Sequence, residues 1–248
     1  MKRIDFIKTT ALATAGLPLL SSFKLKMEQE GIPKALLMGY NNDRLVGDGF
    51  QLERTTMQAF QDLKQAAVAD GITIEVASAF RSYDRQLAIW SGKYKRFTQS
   101  GLTPIAAMEK IIEYSTIPGT SRHHWGTDMD LIDGGASPRP SSVLEAKHFH
   151  GKGPFCKFKE WMNAHAESYG FHEVYTNNAQ RKGFKYEPWH FSYKPVSQKY
   201  LEAYLKLDIK SELERLEIPG AEHMNLQFIE KYLQDNIADI NPDLLPAR

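Results

Sequence analysis

The chain has 248 residues, 42% of them hydrophobic and 25% charged, with 31 Lys+Arg against 30 Asp+Glu and a formal net charge of +1. That is room for one well-cored domain with extensions, and its composition excludes both a disordered chain and a membrane bundle. The balanced charge gives no broad footprint for nucleic acid, so a specific small or peptidic substrate is the better expectation.

The N-terminus reads as an export signal over 1–25. Lys2, Arg3 and Lys8 form a basic region, and Thr9 to Leu20 is a run of small and apolar residues too short to span a bilayer. Arg3-Ile4-Asp5-Phe6-Ile7-Lys8 resembles a twin-arginine signal whose second arginine has become Ile4, so either the general secretory route or a degenerate twin-arginine route is expected. The protein is accordingly expected in the periplasm or cell envelope, with no membrane span in its mature form and as a monomer.

After a polar linker, Ala35 to Met38 is predicted as a short strand or lead-in segment. Glu53 to Asp70 carries Leu52, Met57, Phe60, Leu63 and Ala67 at helical spacing and stops at Gly71. The β-branched, alternating stretch Ile72 to Ala79 predicts a strand. It delivers Phe80-Arg81-Ser82-Tyr83 to the start of a second helix, Arg85 to Phe97, so Arg81 lies where rigid elements can aim it into a cleft. Pro104 to Tyr114 is a third helix, broken by Pro118-Gly119.

Next comes the densest stretch, Ser121-Arg122-His123-His124-Trp125-Gly126-Thr127-Asp128-Met129-Asp130. Thr127 to Ile132 is predicted as a strand with Asp128 and Asp130 on one face. Gly134 to Gly153, with His148 and His150, reads as a long surface loop that could flank the cleft. A helix follows from Phe155 to Tyr169-Gly170, and in its apolar pattern Cys156, the chain's single cysteine, reads as core. Phe171 to Tyr175 is a short strand, and Tyr186 to Tyr193 is the last strand, carrying Glu187-Pro188-Trp189-His190. Helices around Tyr200–Leu205 and Leu226–Ile237 close the chain without chemical motifs.

With one cysteine, a metal site must be built from His and carboxylates. A catalytic zinc keeps three protein ligands and an open position for water. His123, Asp130 and His190 are available for those places, although His124 competes with His123, and Asp128 with Asp130. Gly126 lets the backbone turn between the histidine and the strand. Pro188 bends the chain at Glu187, which lets Glu187 face the same point as His190 and serve as general base.

Joint occurrence of these motifs resembles the VanY-like zinc D-alanyl-D-alanine carboxypeptidases, with VanX-like dipeptidases and the hedgehog and lysostaphin-type metal domains as more distant relatives. Ser121, His123, Gly126 and Asp130 match the signature S-x-H-x-x-G-x-x-x-D; Glu187, Trp189 and His190 match E-x-W-H; Phe80-Arg81-Ser82-Tyr83 matches a third element, with Gln86 beyond it. The resemblance implies an α+β fold with a small central antiparallel sheet flanked by helices and one Zn2+ in a cleft, held by His123, Asp130 and His190. It also implies Glu187 as general base, Arg81 as oxyanion or carbonyl partner, and Ser121, Gln86 and Trp189 with Arg81 on the substrate side. The expected layout is a peptidase domain over 33–207 and a helical C-terminal extension over 208–248. The expected activity is removal of the terminal D-alanine from peptidoglycan stem peptides. Alternatives on the same scaffold are L,D-carboxypeptidase, dipeptidase and cross-link endopeptidase activities, and outside it a non-catalytic zinc-stabilised cell-wall binding module.

Overall fold

The structure, a computed structural model, describes residues 31–246. The expected export signal lies outside them. Helix α1, Lys34–Leu37, comes first. It stands where a short strand or lead-in segment is expected at Ala35–Met38: Pro33 opens it and Ala35, Leu36 and Leu37 favour a helical turn, which buries Leu36 and Leu37. Strands β1 (Leu45–Val46) and β2 (Leu52–Glu53) form a small antiparallel ladder. Helix α2, Arg54–Ala69, is capped by the Glu53 carboxylate, which accepts from the Thr56 N–H at 2.9 Å, and it ends before Gly71, whose φ is +76°.

Four strands make the central sheet: β3 (Ile74–Ser78), β4 (Asp128–Asp133), β5 (Phe171–Glu173) and β6 (His190–Tyr193). Their order is β3-β4-β6-β5, with every pair antiparallel. Between β3 and β4 run α3 (Tyr83–Gln99), capped by Ser82, and α4 (Pro104–Ile111), capped by Thr103. Helix α5, Cys156–His165, precedes β5, and α6 (Lys194–Leu205) leaves β6 directly.

One face of the sheet is apolar. Met129, Leu131 and Phe191 pack there with Phe60 and Leu63 of α2 and Phe158 of α5, all buried in a single core cluster. Each such side chain contributes about 1.5–3 kcal/mol on removal from water. Strand alternation sends Asp128, Asp130, His190 and Ser192 to the other face. Register completes the arrangement, because Asp130 pairs with His190 and Asp128 with Ser192 across the β4–β6 ladder.

Three further expectations change. The loop after β4 is not wholly at the surface: it makes a 3-10 turn, Ala146–Phe149, and drives Phe149 into the core against Phe155, Phe158 and Trp189. The expected strand Tyr186–Tyr193 shortens to His190–Tyr193, since Pro188 cannot join a ladder and Pro188-Trp189 turn the chain. Cys156 is not core; it opens α5 partly exposed, its thiol beside Glu160.

The tail after α6 packs back into the same compact unit that starts at Pro33. It contains α7 (Ile209–Glu214), α8 (Leu226–Tyr232) and a π-turn over Leu233–Ile237. Trp90 of α3 donates to Pro219 O at 2.9 Å, and Asn236 donates to Ile112 O. Among the described residues no helix is long and apolar enough to cross a membrane.

Candidate active site and metal centre

Above the polar face of the sheet lies a cavity of about 580 Å³. Arg81, Ser121, His123, Asp130, Glu187, Trp189 and His190 all line it. Each arrives from a different constraint. The segment Arg122–Trp125 winds into a 3-10 turn that Gly126, at φ +70°, redirects into β4. A Cβ at Gly126 would lie 2.5 Å from Leu45 Cδ2 and 2.9 Å from Glu53 N, so both the left-handed backbone and the close approach require glycine.

Donor atoms from His123, Asp130 and His190 lie within 4.8 Å of one another and are buried. His123 Nδ1 donates to Ala79 O at 2.8 Å, leaving Nε2 facing Asp130 Oδ2 at 3.6 Å. His190 Nε2 donates to Asp128 Oδ2 at 3.2 Å, and its Nδ1 stands 3.6 Å from Asp130 Oδ1. These outer partners set which nitrogen of each ring points inward. Asp130 Oδ1 is buried without any hydrogen-bond partner, an orphan that a cation would satisfy. Two imidazoles and one carboxylate, converging with open space beside them, fit a catalytic zinc.

Both competing residues are otherwise engaged. His124 does not line the cavity: it donates from Nδ1 to Arg81 O at 2.6 Å and accepts at Nε2 from the Gly119 N–H, both backbone groups, and burial pulls its pKa down to about 3. Asp128 accepts from Arg122 Nε and Ser192 Oγ, each at 2.7 Å, and from Thr127 Oγ1 at 2.8 Å. Burial raises the Asp128 pKa, but the Arg122 charge and the His190 hydrogen bond more than offset that and leave it below the ordinary carboxylate value. Asp128 therefore orients His190, and Arg122 neutralises Asp128.

Electrostatics favour a cation at the centre. Burial lowers the His123 pKa and keeps its ring neutral, the form that ligates. Burial also lowers His190, but hydrogen bonds to Asp128 and Glu187 outweigh it and lift the pKa to about 10. The negative charges of Asp130 and Glu187 beside Nδ1 would also attract a metal cation. Glu187 Oε2 is 3.0 Å from that nitrogen, and burial raises its pKa against the opposing His190 hydrogen bond. A carboxyl with raised pKa, beside the ligand set and not in it, is suited to exchanging protons.

Arg81 follows the end of β3, whose pairing with β4 shifts register between Val76 and Ser78. Its guanidinium donates to Gln86 Oε1 at 2.9 Å and to Ser78 Oγ at 3.1 Å. Gln86 does not line the cavity. It is fully buried, donating to Thr116 O at 2.7 Å, and acts on Arg81, so its expected place on the substrate side gives way to a positioning one. Trp189 lines the cavity while packing on Phe149. His148 is absent from the lining, and His150 meets Tyr186 outside it.

The profile of the family described as VanY, D-alanyl-D-alanine carboxypeptidase, matches residues 49–196. The chain belongs to the VanY family. A D-alanyl-D-alanine carboxypeptidase of Enterococcus faecalis is 26% identical over 149 residues, covering 60% of this chain and 50% of the relative. The chain thus spans about half the length of that curated relative. Among solved structures, VanYB in complex with D-alanine-D-alanine matches with TM-score 0.51 at 23% identity, over 75% of this chain and 94% of that one. A mutant vancomycin-resistance D,D-pentapeptidase VanY in complex with Zn(II) matches with TM-score 0.51 at 22% identity, over 79% and 95%. The LdcB LD-carboxypeptidase matches with TM-score 0.51 at 21% identity, over 73% and 81%. At these identities the structural matches establish a shared fold.

Sequence reasoning missed two supports of this VanY-type site. Arg122 stands inside the first motif, but its pairing with Asp128 crosses the Gly126 turn and has no periodic signature. Tyr232 of α8 is the other: its hydroxyl lies 2.6 Å from Thr120 Oγ1 and accepts from the Ile117 N–H at 3.2 Å, clamping the loop that leads into Ser121. Tyr232→Phe is expected to cost about 1–3 kcal/mol of stability in urea denaturation, because it leaves a buried N–H unpaired.

Proposed function

We propose that the protein is a zinc metallopeptidase that removes the terminal D-alanine from peptidoglycan stem peptides, working as an exported monomer in the cell envelope. The carrying observation is one cavity that combines the three-donor set His123, Asp130 and His190 with a buried Glu187 of raised pKa and an anchored Arg81. A purely structural metal would need neither of the last two. The D-alanyl-D-alanine carboxypeptidase relative and the D-alanine-D-alanine complex support the substrate class.

His123, Asp130 and His190 would hold the zinc ion, which when bound would supply Lewis-acid polarisation of the scissile carbonyl and the attacking water. Glu187 takes the proton released as the water attacks, then returns it to the leaving amine. Burial lowers the Arg81 pKa while Asp130 and Glu187 oppose the shift, so the guanidinium keeps its charge. Fixed by Gln86 and Ser78, it stabilises the negative oxygen that develops on the carbonyl. Ser121 and Trp189 line the substrate's path, and Gln86 serves through Arg81.

The test is incubation of the purified protein with a stem pentapeptide ending in D-Ala-D-Ala and with the corresponding tetrapeptide, products identified by mass spectrometry. One D-alanine per pentapeptide and an accumulating tetrapeptide are expected. Cleavage of the tetrapeptide instead would make the enzyme an L,D-carboxypeptidase, release of the intact dipeptide would redefine its cut, and no cleavage of either peptide would remove the carboxypeptidase reading.

A further inference from the structure

On the far edge of the sheet, donor atoms of Glu167, His172 and Asp243 also lie within 4.8 Å of one another. The three come from separate segments. Glu167 belongs to the 3-10 turn Ala166–Tyr169 that follows α5, His172 is the middle residue of edge strand β5, and Asp243 sits in the 3-10 turn Pro242–Leu244 of the tail.

His172 carries the argument. Its side chain is only 10% exposed, and its Nδ1 is buried with no hydrogen-bond partner. That nitrogen points between two carboxylates, Glu167 Oε1 at 3.9 Å and Asp243 Oδ2 at 4.0 Å. Both are too far to accept a hydrogen bond. A divalent ion at about 2.0–2.2 Å from each donor would bridge all three. The corresponding spacings within the catalytic set are 3.6 Å and 3.6 Å, so the peripheral set is nearly as tight.

Hydrogen bonds fix the segments that carry the two carboxylates. Asn241 donates from its N–H to Val174 O and from Nδ2 to Glu173 O, each at 2.9 Å, fastening the tail to the end of β5. Asn241 Oδ1 then accepts from the Asp243 N–H at 3.1 Å. On the other side, Gly170 N–H donates to Glu167 O at 2.9 Å and closes the turn immediately before β5. Glu167 and Asp243 are 74% and 61% exposed, so their side chains can close the remaining few tenths of an ångström and leave water on the ion's outer positions.

We propose that Glu167, His172 and Asp243 form a second, peripheral site for a divalent first-row cation such as Zn2+, separate from the catalytic centre. One imidazole and two carboxylates form a borderline-hard donor set that suits Zn2+, Co2+ or Mn2+ better than a thiolate-seeking ion. An ion there ties the tail to β5, which pairs with the strand that carries His190.

The test is a Zn2+ titration of the chelator-stripped full chain, with bound metal counted by equilibrium dialysis and elemental analysis, and with folding checked by circular dichroism. The wild type is expected to bind two ions, one tightly and one more weakly. Asp243→Asn and His172→Asn are each expected to lose the weaker ion alone, with at least a tenfold drop in its affinity. Asp130→Asn, in the catalytic set, is expected to lose the tight ion and keep the weaker one. Added Zn2+ at saturation should raise the melting temperature of the wild type further than that of Asp243→Asn. A single ion in the folded wild type, or a second ion that survives Asp243→Asn unchanged, would overturn the proposal. Asp243 is a surface residue, so this arm remains readable even where His172→Asn does not fold, and no arm requires peptidase activity.

Discussion

Glu187→Gln is expected to lower turnover of a D-Ala-D-Ala stem peptide by about 10²–10⁴-fold, the range that a positioned acid–base group typically supplies. Glutamine keeps the shape of the side chain and removes its ability to hold a proton. In the protein Glu187 is 7% exposed, 3.0 Å from His190 Nδ1, and carries a pKa raised by burial. It lies outside the three-donor set, so metal content should be unchanged, whereas His123→Asn should lose both metal and activity. The loss should fall on kcat more than on KM, since the proton transfer is made only on the way to the transition state. Rates of D-alanine release, with zinc measured on the same samples, check this. More than a tenth of wild-type turnover in Glu187→Gln would exclude it as the base.

The neighbourhood of Glu187 also marks how far the residues themselves could be read. Strand alternation placed Asp128 and Asp130 on one face, and the Pro188 bend brought Glu187 round to His190; both follow from local rules of period and φ. Choosing between His123 and His124, or between Asp128 and Asp130, needs the partners of each, and these come from distant segments: Ala79 O for His123, Arg81 O for His124, Ser192 for Asp128. A sequence motif carries no record of hydrogen bonds across tens of residues. The same limit explains Gln86, whose place in the motif suggested a substrate contact until Arg81, Ser115 and Thr116 accounted for its amide. In Ala35–Met38 the error was different: four apolar residues fit a strand or a helical turn equally well, and Trp125 Nε1, donating to Leu37 O, is a tertiary contact that no window of that length contains.

Arg122→Met is expected to destabilise the fold by about 3–5 kcal/mol at neutral pH, the cost of removing one partner from a buried ion pair. Asp128 has no solvent exposure, and Arg122 supplies its Nε bond at 2.7 Å, a second contact at 3.4 Å, and a further bond to Ser192 at 2.7 Å. Methionine can still pack near Trp125, over which the guanidinium lies at 4.8 Å, so loss of charge and not of volume should dominate. The pH dependence tests the cause. In the wild type the Asp128 pKa is held below its unfolded value, so this pair's stabilisation is present above the ordinary carboxylate range and is lost as pH falls through the folded pKa. In Arg122→Met burial acts with less opposition and Asp128 protonates at higher pH, which relieves the buried charge. The stability gap between wild type and variant should therefore be widest near neutrality and narrow steadily as the solution is acidified. Chemical denaturation across that range measures it, and a gap below about 1 kcal/mol that does not vary with pH would mean that Arg122 behaves as an ordinary solvated pair.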